Sequence, residues 1–231
     1  MVAARISHHI ALSEEVFSNI RKQIHGDKYS YVSSWLANKM EMPGNYVPHI
    51  VNMPAPSKSF RKKLNISSNQ IVIGRYGGYD QFDLPFVFTA IYQVLKKRDD
   101  IVFLFMDTMP FGPEHKNIIF VEGTNSVQHK SNFINTCDYM IHARSHGESF
   151  GLSICEFLFH NKPIISWYGG IDLNHIEILK NYGLWYIDYD SIYDILSCIP
   201  PNNLNNNLYK NLVTEFQPVN VMRRFKTVFL D

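Results

Sequence analysis

Cysteine is scarce in this sequence, with three among 231 residues. Cys137, Cys155 and Cys198 are odd in number and widely separated, so they form neither a CxxC pair nor a disulfide framework. This spacing excludes the disulfide-rich class of small domains. It predicts buried free thiols in a protein of a reducing compartment.

Long hydrophobic runs and concentrated positive charge are also missing. The most apolar stretch, Ile101–Met106, is far too short to span a bilayer, and the first ten residues lack the apolar run of a signal peptide. The net charge is +1, and the lysines and arginines are scattered along the chain. Because binding to a phosphate backbone requires clustered positive charge, nucleic acid is excluded as the main partner. We expect a soluble, unexported cytoplasmic protein.

The chain nevertheless has the composition and pattern of a folded α/β domain. Hydrophobic residues make up 45% and charged residues 19%, far from the mixture of disordered chains. Short apolar runs alternate with helical patterns, which predicts a doubly wound, Rossmann-like parallel sheet covered on both faces. The predicted strands are 71–76, 101–106, 117–121, 138–142, 163–167 and 184–187. The predicted helices are 83–98 with Asp83 as N-cap, 126–136, 150–160, 171–181, 190–199 and 219–229.

The first seventy residues have a different pattern. They contain one predicted helix, Ser13–Ile24, two strand-like pieces near Tyr29 and Tyr46, and a linker at 47–60. These pieces do not suffice for a second sheet domain. The sequence therefore predicts a short helical and strand extension over residues 1–55 and a sheet domain over residues 56–231.

A glycine-rich turn follows the first predicted strand. It reads Gly74-Arg75-Tyr76-Gly77-Gly78, in which backbone N–H groups can approach a phosphate and Arg75 can pair with it. The turn matches neither a Walker loop nor GxGxxG. A plain tight turn with a solvated arginine is an equally weighted alternative.

A second polar loop, residues 142–149, leads into a strongly apolar helix pattern. We expect this helix to begin near Ser149, where free N–H groups and the helix dipole would attract an anion that Gly151 allows to come close. Glu156 lies among apolar residues and needs a partner, which a ribose diol would supply. A continuous helix would place Glu148 and Glu156 roughly 12 Å apart. That separation suits a linear ligand better than a glycosidase carboxylate pair.

Other polar residues in this region have weaker interpretations. His142 and His146 are four residues apart, but no obvious third ligand accompanies them, so a metal site is the minor alternative. Asp172 and His175 could reach a sugar, although helix capping explains Asp172 equally well.

The spacing Glu148-x7-Glu156, with Phe150-Gly151-Leu152 inside it, resembles the EX7E motif of retaining GT-B glycosyltransferases of family 4. The similarity extends from about Val47 to Asp194 and covers the C-terminal, donor-binding domain of that fold. It implies retaining transfer from a UDP-, GDP- or ADP-sugar to a glycan, lipid or protein acceptor, with no required metal ion. It also implies a division of roles. Catalysis would fall to Glu148 and Arg75, and donor binding to Gly77, Gly78, Thr124, Arg144, Phe150, Gly151, Leu152 and Glu156.

Two departures from the family pattern keep alternatives open. The family has a lysine a few residues after the diphosphate-binding arginine, whereas this chain has Tyr79-Asp80-Gln81-Phe82, so Arg144 or Lys130 would have to replace it. The family also has an N-terminal acceptor domain, of which residues 1–55 would be a remnant or linker. One alternative is therefore a non-catalytic or partner-dependent nucleotide-sugar-binding module, with a partner chain or homodimer completing the acceptor site. An unrelated Rossmann-like enzyme is the third hypothesis.

Overall fold

The computed structural model describes residues 6–9, 28–201 and 207–231. Its main sheet has six parallel strands in the order β10-β8-β6-β3-β4-β5. Two-stranded parallel sheets pair β1 with β2 and β7 with β9. The strands are β1 Ile6–His9, β2 Lys28–Tyr31, β3 Ile71–Tyr76, β4 Ile101–Met106, β5 Ile118–Val121, β6 Tyr139–His142, β7 Gly147–Glu148, β8 Ile164–Trp167, β9 Asp172–Leu173 and β10 Leu184–Tyr186.

Successive residues of the central strands are buried on opposite faces of the main sheet. In β3, Ile71 and Ile73 belong to one hydrophobic cluster, and Val72 belongs to the other. In β4, Phe103 and Leu104 divide in the same way. Because strand side chains alternate between faces, an apolar residue at every position requires cover on both sides. The predicted doubly wound α/β fold is confirmed.

Helices cover the two faces of this sheet. Three of them have the side-chain caps that favour a helix start: Ser33 accepts from the Leu36 N–H, Ser126 from the His129 N–H and Asp188 from the Ser191 N–H. Two 3₁₀ turns, at Lys180–Tyr182 and Thr214–Phe216, accompany the helices. The helices are α1 Ser34–Lys39, α2 Pro85–Leu95, α3 Val127–Thr136, α4 Leu152–Phe159, α5 Asn174–Leu179, α6 Tyr189–Cys198, α7 Leu208–Asn211 and α8 Pro218–Phe229.

Two predicted caps are wrong. Leu84 occupies the N-cap position of α2 without a side-chain hydrogen bond. The carboxylate of Asp83 instead accepts from the N–H and the hydroxyl of Ser145, at 2.7 and 2.6 Å. Asp172 caps no helix either, because it forms β9 with Leu173 and α5 begins only at Asn174. In both cases the side chain that the local sequence assigned to a helix cap bonds a distant segment of the chain instead.

The segment before the main sheet packs into the same core. Leu36 of α1, Val51 and Met53 lie in the hydrophobic cluster that also contains Val72. α8 packs against Val47 through its buried face. The boundary between residues 1–55 and 56–231 stays a prediction. The predicted helix Ser13–Ile24 lies outside the described residues.

The thiols and the helices bear on two further predictions. Cys137 and Cys155 are buried free thiols as expected, but Cys198 is exposed, so the prediction is wrong for that residue. Within residues 28–201 and 207–231, none of the helices combines the length and apolarity that crossing a bilayer demands.

Candidate functional site

A cavity of about 310 Å³ opens where the strands of the main sheet end at their carboxyl termini. Its wall includes Gly77 after β3, Asp107 after β4, Thr124 after β5 and Ala143 after β6. From β3 the chain first builds outward through β4 and β5, and then returns to place β6 on the opposite side of β3. Such a switch point is where open α/β sheets bind their ligands.

Arg75 reaches this cavity from near the carboxyl end of β3. It is 5% exposed, and its guanidinium donates to the Thr108 hydroxyl at 2.5 Å and to the carbonyls of Gly78 at 2.8 Å and Asp107 at 3.3 Å. Burial lowers the pKa of Arg75 to about 10, partly offset by the nearby carboxylates of Glu148 and Asp107. The guanidinium is therefore still charged at neutral pH. The alternative of a solvated arginine is wrong.

Glu148, at the end of β7, is surrounded by positive and ionisable groups. Its Oε2 accepts from Nη1 of Arg144 at 3.1 Å, and its Oε1 lies 3.4 Å from Nε2 of His142. Nδ1 of His142 lies 3.0 Å from the Ser166 hydroxyl, which fixes the ring. Burial raises the pKa of Glu148, but His142 and Arg144 lower it by more than burial raises it. The pKa of Glu148 therefore lies below its ordinary value. Glu148 is thus held as a carboxylate.

Glu156, on α4, has a different environment in the same cavity wall. It is 8% exposed, and its Oε2 accepts a hydrogen bond from the hydroxyl of Tyr76. Burial raises the pKa of Glu156, while the Tyr76 hydrogen bond and the charge of Lys130 oppose that rise. The partner that the sequence required for this carboxylate is therefore present inside the protein, and it is a neutral hydroxyl.

The start of α4 faces the cavity, but it lies later in the chain than predicted. The helix begins at Leu152 instead of near Ser149, because Gly151 is its N-cap in a left-handed conformation, with φ +88°. Leu152 and Ser153 line the cavity, and the first N–H groups of a helix have no partner within it. The continuous helix assumed in the 12 Å estimate is thus wrong.

The structure brings together most, but not all, of the predicted site residues. Phe150 is buried against the rings of His49 and Phe216, and neither it nor Gly78 nor Gly151 belongs to the cavity wall. Their predicted roles in donor binding stay predictions. The predicted residues that line the cavity are Arg75, Gly77, Thr124, Arg144, Glu148, Leu152 and Glu156.

Asp172 and His175 lie behind this wall. Asp172 is buried and bonds Lys39 at 3.0 Å, with Nε2 of His146 at 3.6 Å. His175 is fully buried with Nε2 against the Trp167 carbonyl, and burial lowers its pKa to about 4. Neither residue lines the cavity. Among the described residues, no three His, Cys, Asp or Glu side chains gather as a metal site would require.

Sequence reasoning missed several wall residues. Tyr76 is the last residue of an apolar strand, and it faces Glu156 only because β3 and α4 pack against each other. Asp107 adopts φ +49°, which is uncommon outside glycine and marks the sharp exit from β4. The tertiary arrangement alone reveals these two positions. Lys130, which the sequence offers as one replacement for the missing lysine, reaches the cavity from α3.

No protein-family model and no curated protein matches the sequence significantly. Solved structures do match. Anabaena HepE, in complex with UDP and glucose, has a TM-score of 0.71 at 17% identity, covering 96% of this chain and 70% of that chain. WaaG, a glycosyltransferase involved in lipopolysaccharide biosynthesis, has a TM-score of 0.65 at 12% identity, covering 98% and 74%. A glycosyltransferase from Rickettsia africae has a TM-score of 0.64 at 15% identity, covering 98% and 71%. The chain therefore has the α/β Rossmann-like fold that these GT-B glycosyltransferases share.

Proposed function

We propose that this chain transfers a sugar with retention from a nucleotide-sugar donor to an acceptor hydroxyl, without a required metal ion. The observation that carries the proposal is the composition of the cavity wall. Arg75, Lys130 and Arg144 supply positive charge around one cavity that also contains Glu148 and Glu156. A diphosphate needs the cations, and the hydroxyls of a ribose and a sugar need the carboxylates.

Stabilisation of the leaving diphosphate would be the main catalytic contribution. As the bond between the anomeric carbon and the phosphate oxygen breaks, negative charge develops on the diphosphate. The acceptor oxygen bonds to that carbon on the same face, and the acceptor proton passes to the diphosphate. Arg75 is held in place by three oxygens before any ligand arrives. Preorganised charge of this kind is where most of the catalytic stabilisation is expected.

The two carboxylates would bind different parts of the donor. Glu156 would accept from the ribose hydroxyls, and Glu148 would lie near the donor sugar, while Thr124 would be near the base. HepE was crystallised with UDP-glucose and with UDP, which supports a nucleotide sugar as the ligand class. Lys130 is better placed than Arg144 to replace the missing lysine, because Arg144 is already paired with Glu148.

A thermal-shift screen against UDP, GDP, ADP and their sugars tests the proposal, because a ligand that binds only the folded state raises the melting temperature. We expect Glu156→Ala to weaken binding of the stabilising nucleotide by about 1.5–3 kcal/mol, the value of a hydrogen bond to a charged group. Glu177→Ala, which removes an exposed carboxylate from α5, is the matched control and should leave affinity unchanged. Equal affinity in both variants would contradict the assignment of Glu156.

A nucleotide-sugar-binding module that relies on a partner chain or a second copy for its acceptor site is the second candidate. The chain spans 70–74% of the three neighbours described above, and the described residues contain one large sheet. Incubation of the purified chain with the stabilising nucleotide sugar separates the two functions. Donor hydrolysis or transfer, unaffected by EDTA, supports the enzyme, whereas saturable binding without turnover supports the module.

A further inference from the structure

Tyr76 is the direct protein partner of Glu156. Its hydroxyl donates to Oε2, whereas Oε1 has no hydrogen-bond partner among the described residues, and Glu156 lines the cavity. A carboxylate with one oxygen fixed and one oxygen free can accept hydrogen bonds from a ligand without reorienting. Such preorganisation lowers the entropy that binding must overcome.

The ring of Tyr76 is itself fixed. Tyr76 is 6% exposed, and its ring packs against Phe133 of α3 at 5.8 Å and Phe157 of α4 at 5.6 Å between centroids. Burial raises the pKa of Tyr76 well above its ordinary value, and the charge of Glu156 raises it further. The hydroxyl is therefore a permanent donor in a constant direction.

The groups that surround Glu156 come from three elements. β3 contributes Tyr76, and α3 contributes Lys130, whose Nζ lies 5.6 Å from the Tyr76 ring centroid. α4 itself contributes the neighbouring thiol of Cys155, whose pKa is raised well above its ordinary value by burial and by the charge of Glu156. That thiol therefore stays neutral. The ionisation of Glu156 thus depends on one neutral donor and one cation.

We propose that Tyr76 is a positioning residue that orients Glu156 to accept from the vicinal diol of a nucleoside diphosphate, with Lys130 supporting the charge of that carboxylate. This inference rests on the proposed function. It assigns to a neutral phenol the task of holding the ligand-binding carboxylate, which the sequence motif alone does not indicate.

Paired nucleotides with and without the diol provide the test. Of UDP, GDP and ADP, the one that binds the full chain in the thermal screen is compared by calorimetry with its 2′,3′-dideoxy analogue. Tyr76→Phe keeps the ring contacts and removes only the hydroxyl. We expect it to weaken binding of the diol-containing nucleotide about three- to tenfold, the loss of one hydrogen bond, and to leave the dideoxy analogue unaffected.

The pH dependence of binding gives an independent readout. Affinity for the diol requires ionised Glu156, so it falls as the pH decreases through the pKa of that group. Removing the Tyr76 hydrogen bond raises this pKa, so the fall should occur at higher pH in Tyr76→Phe. A Lys130→Gln variant should shift the fall in the same direction. Tyr139→Phe is the matched control, since its hydroxyl contacts the distant Pro200 carbonyl.

The outcomes distinguish this inference from the proposed function. If none of the three nucleotides binds the wild-type chain, the proposed function fails. If a nucleotide binds but Tyr76→Phe weakens the diol-containing and dideoxy forms equally, with no shift in pH dependence, Tyr76 has only a structural role. In that case the inference is overturned and the proposed function stands.

Discussion

The two glutamates of the cavity occupy contrasting surroundings eight residues apart. Glu148 sits beside Arg144 and His142, and its pKa lies below the ordinary value. Glu156 is held by the phenol of Tyr76, and its pKa is raised, first by burial. Burial alone raises the pKa of both side chains, so the partner decides the direction of the shift. His142 and Arg144 together stabilise the charged form of Glu148 more than Tyr76 and Lys130 together stabilise that of Glu156.

The comparison extends to the backbone that supports each carboxylate. Glu156 lies within a regular helix, whereas Glu148 lies in a two-residue strand that begins with Gly147, and both Gly147 and the nearby Gly151 have positive φ. Gly147 has φ +76°, and a Cβ added there would lie 2.0 Å from the Asp172 carbonyl oxygen. The Glu148 side of the cavity therefore depends on backbone geometry that few residues can adopt.

The largest expected effect comes from a substitution that disrupts the Glu148 side of the cavity. Gly147→Ala should lower the free energy of unfolding by about 3–5 kcal/mol, because a left-handed conformation and a collision with backbone act together. Gly44→Ala is the control. Gly44 has φ +85° with no atom within 4 Å of the added Cβ. Gly44→Ala should therefore cost only the free energy of holding an alanine in the left-handed conformation, about 1–2 kcal/mol. Urea unfolding of both variants measures the difference. Equal losses would show that β7 and β9 tolerate the separation that the added methyl group requires.

The second prediction concerns the opposite pKa shifts. Glu156→Gln should raise the melting temperature near neutral pH by about 2–4 °C, and Glu148→Gln should lower it by a similar amount, which corresponds to about 1 kcal/mol in a domain of this size. The reason is linkage: a raised folded pKa makes ionisation unfavourable to folding, and a lowered one makes it favourable.

Melting curves at several pH values check the signs. The gain from Glu156→Gln should be absent below the ordinary glutamate pKa of 4.5, and should develop as the pH rises through the raised folded value. The loss from Glu148→Gln should be complete above 4.5, and should fade as the pH falls through the lowered folded value. Shifts of the same sign at neutral pH would contradict the contrast between the two partners.

Much of this site could be predicted from the sequence because its supports are local or periodic. The strand runs placed Arg75 and Glu148 at the carboxyl edge of the sheet, where six parallel strands end. The apolar surroundings of Glu156 correctly indicated that the carboxylate needed a partner. The order of the strands along the chain, their lengths and their burial on both faces are all indicated by the pattern of apolar runs in the sequence.

The remaining features depended on contacts between distant segments. The Tyr76 contact with Glu156 joins residues 80 positions apart, and a tyrosine that ends an apolar strand is equally compatible with simple core packing. The sequence predicts the start of α4 three residues too early, because a glycine at position 151 is equally compatible with space for a phosphate and with the left-handed cap that it forms. The acids Asp83 and Asp172 satisfied local capping rules, but each bonds a distant segment instead.

The smallest expected effect concerns Asp83, which anchors the loop leading to Glu148. Asp83→Ala and Ser145→Ala should each lower the free energy of unfolding by about 1 kcal/mol, Asp83→Ala by the larger amount, because it removes both exposed hydrogen bonds whereas Ser145→Ala removes only the one from the hydroxyl. The double variant should lose less than the sum of the two, with a coupling energy of about 0.5–1 kcal/mol, since both changes remove the same contact. Strict additivity would mean that Asp83 stabilises the chain through the start of α2 after all. The anchored loop and the capped helix would then be independent, and the Glu148 side of the cavity would have no support from α2.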